Sequence, residues 1–275
     1  PAALRTIGAK PALCGNIGGM SRKVAPPPLN ETLASPSAYR HIGTMVPLSF
    51  AGHDFLASRD GALFHCATGT LLLADLHLEK ASFFARANQF LPPYDSRATL
   101  DRLERIAGKT GARRIVCLGD NYHDSEGETR LAKSDAERLR GICEACEFIW
   151  VVGNHDPDLS ARHGGSIVAE SRIDNLRLRH NVAPLRADEA EISGHYHPQF
   201  HLAAGRRRRI RRPCFVASAN RLVMPAFGAL TGGMNAADPA IARALGTSRR
   251  DAVVILDDRL CRFALDMPEA GAKRA

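Results

Sequence analysis

Three carboxylates, one carboxamide and several imidazoles recur along this chain in short blocks: Asp75-Leu76-His77, Gly119-Asp120, Gly153-Asn154-His155-Asp156, Arg179-His180 and Gly194-His195-Tyr196-His197-Pro198. Mixed oxygen and nitrogen donors suit divalent metals, and a pair of such metals about 4 Å apart can clamp a phosphate ester and activate a water against it. Taken singly, each block is better explained by polar residues at strand ends. The ordered set is what points to a dimetal centre. Asp75 and His77 stand two apart, as do His195 and His197. At the end of an extended strand each pair would project to one side and could hold a metal from one face.

The elements that must position these residues are legible in the apolar runs before them. Leu71 to Ala74 precede Asp75, Ile115 to Leu118 precede Asp120, and Phe148 to Val152 precede Asn154. Such bounded runs read as buried strands, and in a sheet with covered faces a site forms where the strands run out. Strands are predicted near 47–51, 54–58, 62–66 and 70–74, with Arg59-Asp60-Gly61 as a turn. Asp95 or Ser96 is expected to cap a helix reaching about Gly108, since Leu100, Leu103 and Ile106 recur on one face, and Ala136 to Cys146 reads as another helix. Shorter strands are expected around His180, His195 and Cys214, a turn at Ser218 to Asn220, and a last hairpin from Val253–Leu256 and Leu260–Leu265. The pattern predicts an α/β fold with two mixed sheets face to face and helices outside.

In order and composition the blocks resemble those of the calcineurin-like metallophosphoesterase superfamily, over residues 46 to 235. The resemblance implies a four-layer αββα sandwich and metal-dependent hydrolysis of phosphoesters. It implies that Asp75, His77, Asp120 and His197 hold one metal, and that Asp120 bridges to a second held also by Asn154, His180 and His195. Asn181 follows His180 where the family often has Gly, and His163 competes for that place. His155 corresponds to the family's catalytic histidine beside the phosphate, with Asp156 as its orienting partner. Donation of a proton to the leaving alkoxide and a hydrogen bond to the phosphate are both open to His155. Two divalent ions are implied, manganese first, with iron or zinc compatible.

The segments Ala74 to Lys80, Leu91-Pro92-Pro93-Tyr94-Asp95, Cys117 to Asp120, Gly153 to Pro157 and Pro225-Ala226-Phe227-Gly228 resemble more narrowly the bacterial ligase-associated DNA damage response endonucleases. That resemblance implies a DNA phosphodiester substrate in repair, and functional association with a DNA ligase and a helicase. In this subfamily a His commonly follows the Gly-Asp block as His123 does here. With Asp124 it lines the substrate cleft, supports the metals from behind, or forms an ordinary loop pair. A small-molecule phosphodiesterase or phosphatase with the same metals is the alternative, and a non-catalytic adaptor a further one. There is no Gly-x-x-x-x-Gly-Lys-Ser/Thr loop, so nucleoside triphosphate chemistry by that route has no support.

Length and composition fit one catalytic domain over residues 46–275, with 275 residues in all and 45% hydrophobic. Residues 1–45, with Pro26-Pro27-Pro28 and no apolar periodicity, read as a disordered extension, a basic transit peptide being the rival reading. No run approaches eighteen apolar residues, so no membrane span is expected. Seven cysteines, an odd number spread widely, suggest a reduced cytoplasmic setting. Cys143 and Cys146 form a Cys-x-x-Cys without a second pair nearby, which favours neither zinc nor redox chemistry.

The net charge of +8 is unevenly placed. Residues 1–45 hold five basic residues against one acidic, and Arg206, Arg207, Arg208, Arg209, Arg211 and Arg212 add six more positive charges. Together these exceed the net charge, so the remainder is not basic. Such an Arg cluster binds nucleic-acid phosphates with marked salt dependence; its plain reading is a solvated hairpin tip. Gly232-Gly233 either lets a loop approach the substrate closely or makes an ordinary turn.

Overall fold

The computed structural model describes residues 45–204, 208–246 and 249–265. The expected extension over residues 1–45 therefore lies outside the described residues, save for Met45. In chain order the first elements are β1 (Met45–Phe50), β2 (His53–Ser58), β3 (Leu63–His65), β4 (Thr70–Leu73), α1 (Lys80–Arg86), α2 (Asp95–Thr110) and β5 (Arg114–Leu118). Then follow α3 (Gly127–Arg130), α4 (Lys133–Ala145), β6 (Glu147–Val151) and β7 (Ser166–Val168). These seven strands form one sheet in the order β1 to β7, antiparallel through β4 and parallel beyond it.

The second half supplies β8 (Ser171–Ile173), β9 (Leu176–Arg179), β10 (Ala190–Ser193), β11 (Pro198–Ala204), β12 (Arg208–Pro213), β13 (Phe215–Ala217) and β14 (Arg221–Val223). It ends with β15 (Met234–Asn235), α5 (Pro239–Leu245), β16 (Asp251–Leu256) and β17 (Arg259–Ala264). The second sheet has the order β17-β16-β13-β14-β10-β9-β8, and β12-β11-β15 make a small third one.

Strand alternation explains the layers. Leu72, Val116, Leu118, Ile149 and Val151 pack against Leu178, Ile192, Leu222 and Val253 of the second sheet. Their neighbours Leu71, Leu73, Ile115, Cys117, Phe148 and Trp150 face the other way, onto Leu100, Leu103 and Ile106 of α2 and Leu139 of α4. Because β4, β5 and β6 are covered on both faces, their sequence is continuously apolar after the first residue of each. On the far side, Val216, Val223 and Val254 meet Ile241 and Leu245 of α5. Helices, sheet, sheet and helix thus make the expected four-layer αββα sandwich.

One local expectation is corrected. Tyr94, not Asp95 or Ser96, is the residue before α2, and no side chain caps that helix. Asp95 Oδ2 accepts the Ala81 N–H at 3.0 Å, and Ser96 Oγ accepts the Glu79 N–H at 2.8 Å while donating to Glu79 Oε1. Their acceptors are committed to the start of α1, whose first N–H groups would otherwise lack partners. Gly233 packs against the protein's own Gln199, where a Cβ would lie 2.4 Å from its Cγ.

The six described cysteines are free. Burial pushes the Cys143 thiol up to about 12 and raises those of Cys146 and Cys117, which keeps them as unreactive thiols. Among the described residues no helix is long and apolar enough to cross a membrane.

Candidate metal centre

The seven candidate ligands stand just beyond strand ends of both sheets. Asp75 and His77 follow β4, Asp120 follows β5, and Asn154 follows β6. His180 follows β9, and His195 and His197 lie between β10 and β11. The Asp-x-His and His-x-His pairs are not extended, contrary to the strand-end geometry read from their spacing. Asp75, His77, Asp120, His195 and His197 all have positive φ, between 43° and 73°. Each such L-residue costs about 1 kcal/mol or more, so these loops are held by their surroundings.

The holding contacts are specific. The His195 N–H donates to both oxygens of Asp75, each at 3.0 Å, tying a loop of one sheet to a ligand of the other. The His155 N–H donates to Asp120 Oδ1 at 3.0 Å. At Gly119, φ is +77° and a Cβ would fall 2.4 Å from the His180 ring, so a glycine is required on both counts.

Donor atoms converge in three groups, of which two share Asp120 and the third is His77 with His123 and His155. In the first, His77 Nε2 lies 3.2 Å from His197 Nε2 and 3.7 Å from Asp120 Oδ2, and His197 Nε2 lies 3.4 Å from Asp75 Oδ1. In the second, His180 Nε2 lies 2.8 Å from Asn154 Oδ1, 3.2 Å from His195 Nδ1 and 3.3 Å from Asp120 Oδ1. His195 and His197 therefore serve different groups and do not form one clamp. The His180 Nδ1–H donates to the Leu118 carbonyl at 2.9 Å, which leaves Nε2 to the second group. Acceptors facing acceptors need a cation or a proton between them, and nitrogen with carboxylate oxygen fits a divalent transition metal.

Electrostatics prepares these donors. Burial, with His197 alongside, pushes the His77 imidazole down to about 2, and burial with His180 lowers His195. Both are neutral at ordinary pH, with lone pairs available. Burial would raise the Asp120 carboxyl, but the hydrogen bond and charge of His180 hold it well below the usual range. For His180 burial opposes protonation, yet Asp120 and Asp75 outweigh it and raise its pKa. The second group thus attracts positive charge.

A family model for calcineurin-like phosphoesterases matches residues 70–218, the stretch that carries all seven candidate ligands. The chain belongs to the calcineurin-like phosphoesterase family. Among solved structures, the Pseudomonas putida nuclease MPE is similar at 27% identity, with a TM-score of 0.63, over 80% of this chain and 100% of that one. The Escherichia coli phosphoesterase YfcE is similar at 14% identity and a TM-score of 0.36, over 72% of this chain and 99% of that one. No curated protein is significantly similar. Family and geometry together make this phosphoesterase a metal-dependent phosphoester hydrolase.

The remaining site residues divide. His155 stands beside the centre, with Nε2 4.0 Å from Asp120 Oδ2. Asp156 does not orient its ring. That carboxylate is buried and accepts the Asn121 and Tyr122 N–H groups, the Asn121 carboxamide and the Gly153 N–H, which pins the loop after β5 to the loop after β6. The ring is oriented instead by the His123 carbonyl, which accepts the His155 Nδ1–H at 2.9 Å. The two rings stack at 5.1 Å, and His123 Nδ1 comes within 3.3 Å of His77 Nδ1. His163 is elsewhere, with Nε2 on the Glu128 carbonyl at 3.1 Å.

Arg211 and Arg212 line a groove that reaches His197. Arg206 and Arg207 lie outside the described residues, and of Arg208 and Arg209 only the backbone in β12 is described. Sequence reasoning missed Asn121, whose buried carboxamide also donates to the Val151 carbonyl at 3.0 Å. Its place directly after Gly119-Asp120 was the available signal.

Proposed function

We propose that this phosphoesterase hydrolyses DNA phosphodiester bonds as an endonuclease of DNA repair. In this reading two divalent ions, manganese first with iron or zinc compatible, are held by Asp75, His77, Asp120 and His197 and by Asp120, Asn154, His180 and His195. The observation that carries the reading is the likeness to a nuclease, at a TM-score of 0.63 over that whole chain. The arginines beside His197 support a polyanionic substrate over a small one. Action in the reducing cytoplasm, together with a DNA ligase and a helicase, extends the reading along the resemblance of the ligand blocks.

The chemistry available at such a pair of ions is activation of water and neutralisation of charge on the phosphate oxygens. The chain's own contribution centres on His155. With Nδ1–H donated to the His123 carbonyl, its Nε2 is the atom that can carry a proton toward the leaving alkoxide or bond a phosphate oxygen. Asp120 keeps the two donor groups in register, because Oδ2 faces His77 and Oδ1 faces His180.

The test is cleavage of end-labelled single-stranded, duplex, nicked and flapped DNA by manganese-reconstituted protein, with Asp120→Asn as control. Cleavage is expected with the wild type, and the variant should lose at least one metal by elemental analysis along with nearly all activity. Hydrolysis of bis(p-nitrophenyl) phosphate without cleavage of any DNA would instead support the small-molecule reading. Full activity of Asp120→Asn with two bound metals would overturn the ligand assignment.

A further inference from the structure

A groove of about 370 Å³ runs from His197 between the β2–β3 turn, α2 and β12. Among the described residues, Arg59, Arg102, Arg211 and Arg212 line it against a single carboxylate, Asp60. Asp60 lies 3.9 Å from Arg105. Among the described residues, Arg59 has only an exposed ion pair with Asp257 at 3.8 Å, which solvent screens. The Arg102 Nη1–H donates to the Phe227 carbonyl at 3.2 Å, which fixes that side chain as a wall.

The floor is built on the metal loop itself. The Phe227 N–H donates to the Ala74 carbonyl at 2.8 Å and the Gly228 N–H to the Asp75 carbonyl at 3.2 Å. At Gly228 a Cβ would come within 2.2 Å of the Leu76 carbonyl oxygen, so the two segments lie in tight contact. The groove therefore stands at a set distance from the place where a scissile phosphate would sit. Gly232, with nothing near an added Cβ, leaves one end open.

We propose that this groove is the backbone subsite for one side of the nucleic-acid substrate, with Arg59, Arg211 and Arg212 contacting phosphates that flank the scissile one on that side only. Four guanidiniums around one carboxylate favour a polyanion, and Arg pairs with phosphate through two parallel N–H groups. The inference rests on the nuclease reading and adds to it a place and a direction for the strand.

The experiment uses full-length, manganese-reconstituted protein and oligonucleotides with one neutral methylphosphonate placed at successive positions either side of the cleaved bond. For wild type, neutral linkages on one side are expected to raise KM by tenfold or more, and those on the other side much less. In the Arg59→Gln/Arg211→Gln/Arg212→Gln variant that asymmetry should vanish. The ratio of kcat/KM for the oligonucleotide to that for bis(p-nitrophenyl) phosphate should fall at least tenfold, and the salt slope should drop by about one per lost contact. The matching Arg→Lys variant should recover much of the loss. A wild-type KM and salt slope in the Gln variant, or equal effects on both sides, would overturn the subsite while leaving the nuclease reading intact. Failure of wild type to cut DNA at all would overturn both.

Discussion

His155 and Asp156 are neighbours in sequence with separate tasks. His155 contributes no atom to either group around Asp120, and its ring is held by a backbone carbonyl. His155→Ala is therefore expected to keep both metals by elemental analysis and to lower turnover by roughly a hundredfold or more, the scale of a lost proton donor. Loss of activity fully explained by missing metal would make His155 a ligand. Asp156→Asn, by contrast, sets an amide NH2 against the Gly153 N–H. It should cost about 1–3 kcal/mol and lower the thermal midpoint. Burial holds the Asp156 carboxyl up at about 6, above its ordinary 3.8. The native state thus keeps a proton that the unfolded chain has released, and this contribution to stability is present below about pH 4 and lost as pH rises to about 6. In chelated protein, the slope of stability against pH over that window should be less negative in the variant, as measured by denaturant titrations.

At the scale of elements, the loops beyond β4, β5 and β10 decide the site. Gly119→Ala adds a methyl against the His180 ring and a side chain at positive φ, so it should weaken binding of the second ion at least tenfold while leaving the sheets intact. Metal titration beside far-UV circular dichroism checks both halves of that expectation. The strands were legible because apolar runs and period-two alternation survive in the sequence, and so were the Asp251–Leu256 and Arg259–Ala264 hairpin and the face of α2. The ligand blocks were legible as an ordered set of residue types. Their conformation was not, since Asp and His carry little local sign of a left-handed backbone, and the loops are bent by contacts from distant segments such as His195 to Asp75. For the same reason Asp95 was misread: a helix-starting carboxylate serves its own helix by local rules, whereas here it serves α1 across the chain. Among the shortest strands, β7, β8 and β15 have only two or three residues and carry no apolar run that would mark them.

For the whole molecule, the layer between the sheets is packed from apolar side chains, with no candidate metal ligand among them. Removing metal with a chelator is therefore expected to preserve the circular dichroism of the native sheets yet lower the unfolding temperature. The lost stability should approach about 2.7 kcal/mol relative to metal at a hundred times its dissociation constant, and return on adding manganese. Unchanged melting would show that the ions contribute nothing to the fold, and collapse of the spectrum that the core depends on them.

Each donor group around Asp120 draws from both sheets: Asp75, His77 and Asp120 meet His197 across the seam, and Asp120 and Asn154 meet His180 and His195. Ions held there would act as rivets through two plates, and reciprocity of coupling turns their affinity into a gauge of how the plates are seated. Damage to the layer between the plates would then register at the rivets. Ile192 is fully buried between the sheets and lies three residues before His195. Ile192→Ala would open a cavity there, and such a variant would bind metal more weakly although every ligand remained in place.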